Sequence, residues 1–186
     1  MNPSLMPKMV LSFHAGWDEL IRIHPSISRM FALLVLPMSL LPPAMIYYAG
    51  SNYGDTFSAG VSPEQWQIAA GIFFFAELLT VPAMAWIMHL VCRGNDVPAN
   101  YRQCFTLAAI APVPMWISSL VLFFPNLLVC ALVGALGLLA SLAITYRGMY
   151  ALFHMHEELR AMQMATVVTG AGLLAWLVLM QIVLIR

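Results

Sequence analysis

Charge is scarce in this sequence. Only 9% of its 186 residues are Asp, Glu, Lys or Arg, eight of each sign, so the formal net charge is zero. A chain without a basic surplus carries no electrostatic footprint for nucleic acid. One so poor in charge is also unlike a soluble domain, which carries about 25% charged residues. Cysteine is scarce too: Cys92, Cys104 and Cys130 are an odd, sparse set that does not imply a disulfide framework, and free thiols are expected. The chain has no Gly-rich phosphate loop, no HExxH and no G-x-S-x-G elbow. The acidic pairs Asp18-Glu19 and Glu157-Glu158 occupy adjacent positions, which do not converge on one point of a helix face. Catalysis therefore has no carrier; the chain is read as non-enzymatic, and no cofactor is expected. The first 29 residues hold Lys8, Asp18, Glu19, Arg22 and Arg29 but lack the short basic start and small-residue cleavage site of a removable signal peptide.

What the chain has is apolar sequence: 62% of its residues are hydrophobic. A helix crosses the hydrocarbon core with about 20 residues. Charge-poor runs of that length fall near 30–48 and 68–91, and residues 103–146 contain no charged residue at all. That last run is too long for one crossing, and Pro125-Asn126 is the natural turn dividing it into spans near 104–124 and 127–147. A fifth span is predicted near 164–185. The fold expected is an all-α integral membrane protein, a five-transmembrane-helix bundle formed by residues 30–186 behind a segment 1–29 at the cytoplasmic interface.

Lys and Arg set the orientation. Lys8, Arg22 and Arg29 precede the first span, Arg93 and Arg102 lie in the second connection, and Arg147 and Arg160 in the fourth, all on one side; only Arg186 falls on the other. The connection 49–67 holds Asp55 and Glu64 without a basic residue. The N-terminus is thus expected to be cytoplasmic and the C-terminus outside, with Tyr47, Tyr48, Tyr146 and Tyr150 where aromatic belts belong. In residues 5–23, Met6, Met9, Val10, Phe13, Trp17, Leu20 and Ile21 recur at helical spacing opposite Lys8, Asp18, Glu19 and Arg22, the pattern of a helix lying in the membrane interface. Residues 148–163 have a similar mixed character and are expected to extend a span as helix at the cytoplasmic surface.

Glu77 is the one acid inside a predicted span, about nine residues in, or roughly 14 Å of helix from its outer end. A charge at the bilayer centre costs at least about 2.5–3.5 kcal/mol, so an acid at depth faces a partner or water, or takes up a proton. No Lys or Arg lies inside a predicted span, Arg147 standing at the very end of the fourth, and a neutral carboxyl is expected. Ser39, Trp116, Ser118 and the Gly134/Gly137 region come out at similar depth on the other helices. Six prolines lie within spans: Pro37, Pro42 and Pro43 in the first, Pro82 in the second, Pro112 and Pro114 in the third. Each is expected to kink or break its helix and to free a carbonyl. Glu77, Pro82, Ser39, Trp116, Ser118, Pro37, Pro112 and Pro114 are therefore the candidate membrane-embedded site. A protonation-responsive site beside broken helices is one reading; a buried carboxyl used as interhelical glue, with prolines absorbed as in other membrane helices, is the other.

Small residues spaced for close packing occur at Gly137/Ser141 and Thr166/Gly170, explained most simply by packing within one bundle, with a homo-oligomer as the alternative. His154 and His156, and separately His89, Cys92 and Cys104, are the weaker metal candidates; neither set has closed four-ligand spacing, and no metal is expected. The partners expected are the lipid bilayer and other membrane proteins.

Three stretches carry a family likeness: "GWDELIRIHPSISRMFALLVLPMSLLPPAMIYYAG", "NYRQCFTLAAIAPVPMW" and "FFPNLLVCALVGALGLLASLAITYRGMYAL", together spanning most of residues 16–152. Their content and order resemble the Ypt-interacting-protein (Yip) domain family of five-span membrane proteins, particularly its short bacterial members. The resemblance implies a Yip-like helical fold with a cytoplasmic N-terminus in a bacterial cytoplasmic membrane. Eukaryotic relatives are associated with Rab-type GTPases and have much longer cytosolic N-terminal regions. With about 29 residues ahead of the first span, the resemblance gives little ground for a GTPase partner here. For bacterial-type members it implies a fold and a location without an activity. The function expected is a membrane scaffold or partner-binding protein, the alternative being a small transporter or channel component that uses Glu77.

Overall fold

The computed structural model describes Trp17, residues 25–153 and residues 158–184. Five helical units follow one another, α1 (Ile27–Phe57), α2 (Pro63–Gly94), α3 (Tyr101–Phe123), α4 (Leu127–Leu152) and α5 (Glu158–Leu184), with no strand among the described residues. All five are long and apolar enough to cross a membrane, in α5 through Ala161–Val178. The interfacial helix expected over 5–23 lies outside the described residues except for Trp17, as do His154 and His156.

The helices outrun the predicted spans at several ends. α1 continues past Tyr48 to Phe57, bending at Tyr53, whose φ of −152° and ψ of 38° are not helical. α2 begins at Pro63 rather than 68. Its start is fixed by a capping box in which the Ser62 hydroxyl accepts from the Gln65 amide and the Gln65 side chain accepts from the Ser62 amide, with Pro63 in the first turn. α3 opens with the same device, built from Asn100 and Gln103. Asn126, in the predicted turn, caps α4 by accepting from the Val129 amide.

The prolines act unequally. Of the kink or break expected at each proline, Pro82 gives no break: α2 runs through it without interruption, because neighbours of a membrane helix tolerate one lost backbone bond. α3 does divide: a turn at Ala111-Pro112 separates Tyr101–Ile110 from Val113–Ser118, and a tighter 3-10 turn, Ser119–Phe123, ends it. In α1 a widened π turn, Phe31–Val35, comes just before Pro37, a common accompaniment of proline in a helix.

The core is built around α3. Every residue from Cys104 to Ala111 is buried, followed by Val113 and Trp116. Small side chains such as Cys104, Thr106, Ala108, Ala109 and Ala111 let neighbouring backbones approach closely there. α2 and α4 pack on α3, α5 packs on α2 and α4, and the second part of α1, Leu41–Phe57, packs on α2 and on the last turn of α3. Trp17 is wholly buried in this core. A methyl at Gly148 of α4 would come within 2.6 Å of the Trp17 ring and 2.3 Å of the Leu107 side chain. The Trp17 side chain therefore packs between α3 and α4.

Candidate functional site

Glu77 is on α2, about 21 Å of helix beyond Pro63, deeper than the predicted start of the span implies. The carboxyl is partly buried and lies against the Trp116 side chain in the second segment of α3. One carboxyl oxygen, Oε2, is buried without a hydrogen-bond partner. Trp116 is 2% exposed and follows the turn at Pro112, with Pro114 in the first turn of its segment. The proline-broken third helix thus presents the indole to the acid.

The other candidates divide between this centre and its surroundings. The short segment Leu36–Ser39 packs against both α2 and Val113–Ser118, so three elements converge. Ser39 is fully buried, but its hydroxyl donates to the Leu36 carbonyl of its own turn at 3.2 Å. The Ser118 hydroxyl likewise donates to Met115 O at 2.8 Å. Ser118 and Pro114 face Gly137 of α4, where an added Cβ would lie 2.9 Å from Ser118 and 3.1 Å from the Pro114 carbonyl. Pro37 is exposed. Pro82 is approached by Tyr101, whose hydroxyl donates to the Pro82 carbonyl at 3.4 Å.

Among the metal candidates, Cys92 and Cys104 are fully buried free thiols that lie close to each other between α2 and α3. His89 stands edge-on to Tyr101 at a centroid distance of 6.3 Å. Among the described residues no three His, Cys, Asp or Glu side chains form a metal-binding group.

Two close-packing devices escaped the sequence reading. Gly50 and Gly54 form a G-x-x-x-G pair on α1 into which Trp66 of α2 is seated. Their spacing was the available signal. The Tyr53 hydroxyl, beside them, donates to the Leu122 carbonyl and joins the bend in α1 to the tight last turn of α3.

This arrangement of five helices is matched at the level of sequence. The model of the Yip1 domain matches residues 8–179. The chain belongs to the Yip1 domain family. Similar to this Yip1-family chain is a protein called inner membrane protein YohC, from Escherichia coli K12 and from Escherichia coli O6:H1 strain CFT073. Each of the two is 23% identical over 141 residues, covering 74% of this chain and 72% of the relative. No solved structure matches the chain.

Proposed function

We propose that this Yip1-family chain is a non-enzymatic scaffold or partner-binding protein of a bacterial inner membrane, its N-terminus cytoplasmic and its C-terminus outside. The location rests on five membrane-length helices and on the name of the Escherichia coli relative. The orientation rests on Arg29, Arg93, Arg102 and Arg147 at one end of the helices, with Asp55 and Glu64 at the other. In this reading residues 1–29 serve as the cytoplasmic contact segment of one membrane domain, 30–186.

The observation that carries the proposal is the state of the polar groups at depth. Glu77 is met by one indole, while the hydroxyls of Ser39 and Ser118 are committed to carbonyls of their own helices. A relay across the membrane needs groups that pass a proton or ion from one helix to the next; here the two hydroxyls turn back on their own helices, while Glu77 and Trp116 meet across a helix contact, as interhelical glue would. Cross-linking in native membranes through residues 5–23 or 148–163 is expected to recover a reproducible membrane-protein partner, and recovery of none counts against the scaffold.

The transporter reading keeps one observation in its favour, the buried Glu77 Oε2 without a partner. Proteoliposomes holding wild type or Glu77→Gln separate the two readings. Background flux of protons and common ions in both supports the scaffold, whereas wild-type flux abolished by Glu77→Gln replaces it with the transporter.

A further inference from the structure

At the end of the bundle where α1 and α3 begin, a groove of about 660 Å³ opens between α1, α2 and α3. Ile27, Ser28 and Phe31 line it from α1, Pro82 from α2, and Tyr101, Arg102 and Phe105 from α3. Its chemistry changes with depth. Arg102 and Ser28 are exposed and lie near the helix starts. Phe31, Phe105 and Pro82 continue the wall inward, and Pro82 is about 18 Å of helix from the end of α2 at Gly94. A soluble ligand has no use for an apolar wall reaching that far into a hydrocarbon layer. A lipid has, because its headgroup and its chain need these two surfaces in this order.

We propose that this groove binds an anionic phospholipid, the phosphate at Arg102 and Ser28 and one acyl chain along Phe31, Phe105 and Pro82. The sign of the headgroup follows from charge. Among the described residues no carboxylate lines the groove and none pairs with Arg102. Arg29 and Arg93, both exposed, stand at the same end of the bundle, where Asp96 is the acid described. Basic sites between membrane helices are well suited to anionic headgroups. The Tyr101 hydroxyl is engaged with the Pro82 carbonyl and closes the floor without competing for the phosphate.

The test is native mass spectrometry of the full chain in detergent with phosphatidylglycerol or phosphatidylcholine added, comparing wild type, Arg102→Gln and Arg93→Gln. Wild type and Arg93→Gln are expected to retain phosphatidylglycerol over phosphatidylcholine, and Arg102→Gln to lose about fivefold of that preference, the worth of one arginine near an anionic surface. Equal retention by Arg102→Gln, an equal loss in Arg93→Gln, or displacement by millimolar inorganic phosphate overturns the proposal; the last would mean that the groove reads phosphate and not lipid. A second measurement is independent of any variant folding. A photoreactive phosphatidylglycerol in membranes containing wild type is expected to label peptides holding residues 27–31 and 101–105, and labelling elsewhere alone refutes the site.

Discussion

Gly50→Ala adds one methyl where α1 meets α2. On the observed backbone the new Cβ would lie 2.2 Å from Trp66 Cγ, 2.3 Å from Cδ2 and 2.6 Å from Trp66 Cβ. Cβ moves only with the backbone of α2, and Cγ and Cδ2 move only with it or with the side-chain torsions, so the helices must separate or Trp66 must leave its rotamer. Overpacking of this kind costs about 1–3 kcal/mol. It is offset by about 0.5–1 kcal/mol, because alanine loses less conformational entropy than glycine in a helix. The net expectation is destabilisation by about 1–2 kcal/mol, a difference of opposing effects.

The assay is reversible unfolding in mixed micelles, followed by circular dichroism as the denaturing detergent is increased. Gly71→Ala is the control, since a Cβ there meets nothing within 4 Å, and it is expected to be neutral or mildly stabilising. Trp66→Ala supplies the second arm: in that background Gly50→Ala is expected to become neutral or mildly stabilising, giving a coupling of about 1–3 kcal/mol in the double-mutant cycle, the whole overpacking cost. Stability of Gly50→Ala at or above wild type, or an equal loss in Gly71→Ala, would refute the argument.

At the α3–α4 contact, Gly137→Ala is expected to destabilise by about 1–2 kcal/mol in the same assay, because its Cβ meets Ser118 and the Pro114 backbone. Gly134→Ala, three residues away with nothing within 4 Å, is expected to lose nothing. Tyr53→Phe removes the donor to the Leu122 carbonyl; about 1 kcal/mol of stability should disappear, with faster amide exchange confined to residues 119–123. Asn100→Ala dismantles the capping box of α3, with an expected loss of about 1 kcal/mol; an unchanged transition would mean that the core holds α3 without its cap.

The number of spans was legible because the bilayer imposes a length. An uncharged run over 103–146 exceeds one crossing, and Pro125-Asn126 offered one place to turn; the structure turns there, with α3 ending at Phe123 and α4 beginning at Leu127. The ends were less legible because hydropathy measures affinity for lipid, while helices end where their backbone groups find other partners. α1 passes beyond the tyrosines because Gly50 and Gly54 dock Trp66, and α2 starts early because Ser62, Pro63 and Gln65 cap it. Both signals were present in the letters, but in residues too polar or too small for a hydropathy window to weigh.

The candidate site shows the same division. Depth along a helix can be counted from sequence, and it brought Glu77 and Trp116 to one level; the structure makes them neighbours. Direction around a helix cannot be counted across kinks, because each proline resets the phase of the residues beyond it. Ser39 comes after the widened turn of α1, and Ser118 after the turn at Pro112, so their rotation about the helix axis was set by local breaks. Once placed, each hydroxyl found a carbonyl three residues back on its own helix, an alternative open to any serine in a membrane helix. A serine at the right depth is therefore weak evidence for a relay, whereas the tryptophan is stronger, because its indole N–H is a donor carried on a long rigid ring that reaches away from the carbonyls of its own helix. That asymmetry is why Glu77–Trp116 is the polar contact on which the reading of this chain as a fastened bundle depends.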